Sequence, residues 1–75
     1  MDYMQDCRSE IEKHLEANQV DCSNLTDEQL DKMAARFYKN HYSYEMDEEF
    51  SARAAVSETL KEFAITIAGY ELWIP

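Results

Sequence analysis

The chain is poor in the residues that break or staple a fold. It has one glycine, one proline and two cysteines in 75 residues. With so few turn formers, an all-β fold with many tight connections is disfavoured. No apolar run approaches the roughly 18 residues of a membrane span, and the longest, 63–68, is far too short. The opening stretch Met1-Asp2-Tyr3-Met4-Gln5-Asp6 lacks the basic and apolar segments of a secretory signal, so a cytoplasmic location is expected. In a reducing compartment Cys7 and Cys22 are expected as free thiols, with a disulfide as the alternative if a loop folds one onto the other.

Positive charge is scarce as well. Seven Lys+Arg face 16 Asp+Glu, a formal net charge of −9. Phosphate backbones are bound by clustered bases that displace counterions. A field of this sign repels polyanions and anionic membrane surfaces. Direct nucleic-acid binding and membrane binding are therefore not expected. Attraction to a basic protein surface is the complementary expectation.

What is present fits a folded domain. Hydrophobic residues make up 45% of the chain, nine residues are aromatic, and mean hydropathy is −0.63. The length supports one small domain over residues 1–75, with a thin core. There are no repeats and no low-complexity linkers.

Three helical patterns span the chain. Met4, Cys7, Ile11 and Leu15 recur at helical steps, predicting a helix from about residue 3 to 18. Thr26 followed by Gln29 makes a capping box, and Leu25 and Leu30 have the spacing of a hydrophobic staple. The second helix starts there, with Leu30, Met33, Ala34, Phe37 and His41 on its apolar stripe. Its acids lie early and its bases late, as the helix dipole favours. A turn is expected over residues 39–44. A third helix is predicted from Met46 or Asp47 through Leu60, Phe63, Ala64 and Ile67, closed by Gly69 at C′ with Tyr70 against Ile65. Arg53 falls inside its apolar stripe, one turn after Glu49. The fold class is all-α, a compact three-helix bundle with a short apolar C-terminal segment. The alternative is α+β, with a hairpin at about 63–74 suggested by the β-branched residues there.

Catalytic and metal patterns are weak. Cys7, His14, Cys22 and His41 are the right inventory for zinc, but no C-x₂₋₄-C or H-x₃₋₅-H pair exists. Cys7 and His14 are seven residues apart, roughly 10 Å along a helix. No signature marks Cys22 as a nucleophile beside either histidine. Glu45–Glu49 lacks the EF-hand pattern and its glycine. No enzyme activity, metal or cofactor is expected.

The acid itself is the remaining signal. Residues 1–25 hold six acids and two bases, residues 26–41 three of each, and residues 42–75 seven acids and two bases. Asp2, Asp6 and Glu10 are spaced by four, a carboxylate roughly every 6 Å along a helix. A second cluster is Glu45, Asp47, Glu48 and Glu49. Tyr42 and Tyr44 lie beside it, and tyrosine is a common interface anchor. These nine residues are the candidate partner-binding set. In size, charge and lack of a catalytic motif the chain resembles the small acidic inhibitors encoded by phages, anti-CRISPR proteins and other nucleic-acid mimics among them. The resemblance is one of composition. It implies docking on a basic surface of a nucleic-acid-binding protein or complex, in host cytoplasm. Two alternatives are a helical dimer held by C-terminal aromatics, and a helix-turn-helix DNA binder using Lys32, Arg36 and Lys39.

Overall fold

The computed structural model describes residues 3–67 and Tyr70. Asp2, the proposed C′ glycine Gly69, and the C-terminal segment from residue 71 onward lie outside the described residues. The described residues form an all-α three-helix bundle: α1 Tyr3–Ala17, α2 Asp27–Tyr38 and α3 Glu48–Glu62. A 3₁₀ turn, Cys22–Asn24, joins α1 to α2, and a π turn, Lys39–Ser43, extends α2. No strand occurs among the described residues, and 64–67, where the hairpin alternative placed a strand, have no regular structure. No helix there is long and apolar enough to cross a membrane.

α2 and α3 start on their local chemistry. Thr26 Oγ1 accepts from the Gln29 N–H at 3.2 Å, and Gln29 Oε1 accepts from the Thr26 N–H at 2.9 Å. Leu25 and Leu30, flanking this box, are both buried in the core. Asp47 caps α3 by accepting from the Phe50 N–H at 3.3 Å. Satisfying these otherwise orphaned donors stabilises a helix start by about 1 kcal/mol.

The end of α3 departs from expectation. α3 stops at Glu62, before Phe63, Ala64 and Ile67. Ala64 takes a left-handed φ of 54°, the Ala64 N–H donates to the Lys61 carbonyl at 3.1 Å, and the Ile65 N–H donates to the Leu60 carbonyl at 2.8 Å. That is a Schellman ending, with alanine where glycine is usual. α1 ends the same way at Gln19, φ 62°, with the Val20 N–H donating to the Leu15 carbonyl at 2.9 Å. In both, an apolar residue just past the turn returns to the core: Val20 is buried and Ile65 packs half-buried against it. That contact offsets the steric penalty of a Cβ in left-handed geometry.

The core lies where the three helices meet. Ile11 and Leu15 of α1, Met33 and Phe37 of α2, and Val56 and Leu60 of α3 are all at most 2% exposed. Met4, expected on the α1 stripe, is 40% exposed. α3 is buried around most of its girth through Ser51, Ala52, Ala54, Ala55, Val56, Ser57, Thr59 and Leu60. Small side chains let neighbouring backbones approach closely, and hydropathy periodicity does not register them. Tyr70 is buried too, with its hydroxyl 3.0 Å from His14 Nε2 and the Arg53 guanidinium 5.9 Å from its ring centre. Arg53 is thus held by an aromatic face and makes no ion pair with Glu49.

Ionic clamps tie the helices outside the core. Arg8 of α1 bridges to Asp27 at 2.7 Å and Asp31 at 3.2 Å on α2. Arg36 of α2 donates to Thr59 Oγ1 at 2.8 Å and pairs with Glu62 at 2.8 Å, both from α3. Lys32 reaches the other oxygen of Glu62 at 3.2 Å. The two bases hold the Glu62 carboxyl below its ordinary pKa by hydrogen bonding.

Two stability predictions follow from this geometry. Gln19→Gly and Ala64→Gly each remove a Cβ from a left-handed position and should raise unfolding free energy by about 0.5–1 kcal/mol in urea titrations; a loss at either site would contradict the Schellman assignment. Arg36→Met keeps the apolar stem but removes the Thr59 and Glu62 bonds, and should cost roughly 1–2 kcal/mol in the same assay.

Candidate functional site

The bundle brings members of the two acidic clusters together, Asp6 and Glu10 of α1 with Asp47, Glu48 and Glu49 at the start of α3. α1 and the start of α3 border an open cleft of about 450 Å³, lined by Glu10, Lys13, His14, Asn18, Asp47, Glu48 and Glu49, with Phe37 and Ala52 among its apolar wall. A second depression of about 340 Å³ adjoins it through the shared Glu10 and Lys13, and adds Asp6, Ser9 and Tyr42. Five carboxylates therefore share one surface with a single lysine, Lys13, whose ammonium lies 3.5 Å from Glu10.

Glu48 and Glu10 approach each other across the cleft. The Glu48 carboxyl is raised above the ordinary range, first by hydrogen bonding with Glu10 and then by that residue's charge. Residues 38 positions apart in sequence thus perturb each other across the cleft. His41 acts weakly in the opposite direction and Asp47 adds to the rise. Capping commits one carboxylate of the set, Asp47, to the helix start, while Glu48 and Glu49 occupy the first turn of α3.

Tyrosines flank the acids. Tyr3 lies 5.9 Å from Tyr38, Tyr38 lies 5.0 Å from Tyr42, and Tyr42 packs edge-on against His41 at 4.7 Å, centre to centre. His41 in turn stacks on buried Phe37 at 5.4 Å and donates from Nδ1 to the Met46 carbonyl at 2.9 Å. Tyr3 and Tyr42 are each about 60% exposed. This ladder is anchored at one end in the core and open to solvent along its length.

Not every predicted site residue belongs here. Asp6, Glu10, Asp47, Glu48, Glu49 and Tyr42 converge. Glu45 does not line either depression; it is exposed in the connection before α3, at φ 54°. Tyr44 is also exposed and lies under the Lys39 ammonium at 5.8 Å, away from the cleft lining. Lys13, His14, Tyr3 and Tyr38 were not in the partner-binding set expected from the sequence. The i,i+4 spacing of Tyr38 and Tyr42 was a usable signal. Tyr3 joins them only because α1 and α2 pack antiparallel.

The chemistry of the remaining titratable groups is quiet. Cys7 is buried and Cys22 half-buried; both are free, and burial pushes both thiols up from their ordinary pKa. His14 is lowered by burial and then by the charge of Arg53. Among the described residues no group of three or more His, Cys, Asp or Glu is placed to hold a metal ion. No family model matches the chain, and neither a curated protein nor a solved structure is significantly similar to it.

Removing one partner tests the carboxyl pair. In Glu10→Gln the Glu48 carboxyl should return toward the ordinary carboxylate range in a ¹³C NMR titration. Because the folded pKa of Glu48 is raised, its contribution favours the fold below that pKa and is lost as pH rises through it. The wild type should therefore lose a little stability as this carboxyl ionises, an effect that solvent screening keeps small. The variant should lose less over the same interval.

Proposed function

We propose that this chain is a small acidic binding protein that docks the α1–α3 cleft onto a basic protein surface. The observation that carries this reading is the convergence of Asp6, Glu10, Asp47, Glu48 and Glu49, drawn from both ends of the sequence, on one face beside exposed tyrosines. The fold keeps these carboxyls close enough that Glu10 pushes Glu48 up from its ordinary pKa, first by hydrogen bonding and then by charge. A basic partner offsets the repulsion between these carboxylates when they are ionised.

The basic residues support the same direction. Arg8, Lys32 and Arg36 are engaged with carboxylates of the neighbouring helices. Two of the three bases needed for a helix-turn-helix contact with DNA are thereby occupied, which leaves that alternative without a free positive face. A protein that ordinarily holds nucleic acid presents the kind of surface this cleft complements. Occupying it would make the chain an inhibitor of that protein, in keeping with the compositional resemblance to phage-encoded inhibitors.

The quadruple variant Asp6→Lys, Glu10→Lys, Glu48→Lys, Glu49→Lys tests the reading. Partners captured from lysate by the wild type at low salt should be predominantly basic and should elute as ionic strength rises, because exposed charges are screened beyond roughly 10 Å at 0.1 M salt. The variant should lose them. Capture that is indifferent to both salt and charge reversal would defeat the proposal.

A further inference from the structure

The tyrosine ladder bears on which kind of basic group the cleft accepts. Tyr42 shares the smaller depression with Asp6 and Glu10. Its lining therefore combines an exposed aromatic side chain with a pair of carboxylates one helical turn apart, about 6 Å along the axis. An ammonium and a guanidinium answer this differently. Lysine offers a compact, strongly hydrated point charge. Arginine offers a planar group that stacks on a ring while its edge donates to carboxylates, and it is the more weakly hydrated of the two.

We propose that the occupant of this groove is an arginine-bearing segment of a partner protein, with one guanidinium stacked on Tyr42 and its arginines hydrogen-bonded to Asp6 and Glu10. The inference rests on the docking function proposed above and narrows its chemistry. Two arginines about 6–7 Å apart would meet the two carboxylates, a spacing given by alternate residues of an extended segment. Lys13 holds Glu10 only at 3.5 Å and is largely exposed, so an incoming guanidinium displaces it readily. A second copy of this chain is a poor occupant, because its own Arg8 and Arg36 are tied to its own carboxylates and Arg53 lies over the ring of Tyr70.

Titration calorimetry of the full chain with oligo-arginine and oligo-lysine peptides of equal length, at low salt, tests the assignment. Arginine should bind roughly threefold or more tightly, the scale of one exposed cation–π contact. Tyr42→Leu should abolish that preference while leaving salt-dependent binding of both peptides. Tyr44→Leu, outside the groove, should leave the preference intact. Circular dichroism confirms that each variant retains its helices. Equal binding of the two peptides to the wild type would overturn the arginine assignment and leave the acidic docking face standing. Binding of neither peptide would overturn both.

Discussion

The antiparallel packing of α1 against α2 is the constraint on which the rest depends. Ile11 and Leu15 meet Met33 and Phe37 with essentially no exposed surface. Burying side chains of this size stabilises the bundle by about 1.5–3 kcal/mol each, the main favourable contribution available to so short a chain. The same contact fixes the site. It sets Tyr3 beside Tyr38, and it points the Asp6–Glu10 edge of α1 toward the start of α3. Phe37 serves both roles, since its ring fills the core and its outer face supports His41 and, through it, Tyr42.

α3 completes the arrangement by different means. Its buried face is mostly alanine, serine and threonine, so close approach replaces bulk apolar contact. Arg36 then holds the helix in register by engaging the Thr59 hydroxyl and Glu62 together. Thr59 stays satisfied because its hydroxyl also donates to the Ala55 carbonyl at 2.8 Å. With register fixed from the C-terminal half of α3, its acidic N-terminal turn has little freedom to swing away from α1. Crowding of Glu48 against Glu10 is the electrostatic consequence, and core burial is large enough to sustain it.

Charge is therefore partitioned by the fold into two classes. Glu58, Glu62, Asp27 and Asp31 neutralise bases between helices. Asp6, Glu48 and Glu49 border the cleft with little positive charge near them. The formal −9 describes neither class. Like charge on the second class disfavours close approach of another surface of the same sign, and the docking proposed above would offset it.

Local chemistry was legible in the residues. The Thr26–Gln29 box, the Leu25–Leu30 staple, the Asp47 start and the i,i+4 stripes of α1 and α2 follow from interactions within a few positions, so the all-α class could be read directly. The end of α3 could not. Gly69 looked like the natural C′ residue, yet Ala64 takes the left-handed position because Ile65 gains a place against the core, and that gain exists only in three dimensions. Burial of the alanine-rich α3 escaped the hydropathy pattern for the same reason. The acids of the cleft were all nameable from sequence, but not which of them meet. Sequence alone determined the helices, the excess of acid and the separation of that acid into two clusters, since these depend on composition and short-range spacing. Only tertiary packing decided that Glu10 faces Glu48, that Tyr3 joins Tyr38 and Tyr42, and that Glu45 and Tyr44 stand apart, because those distances are set by how helices remote in sequence bury their apolar faces together.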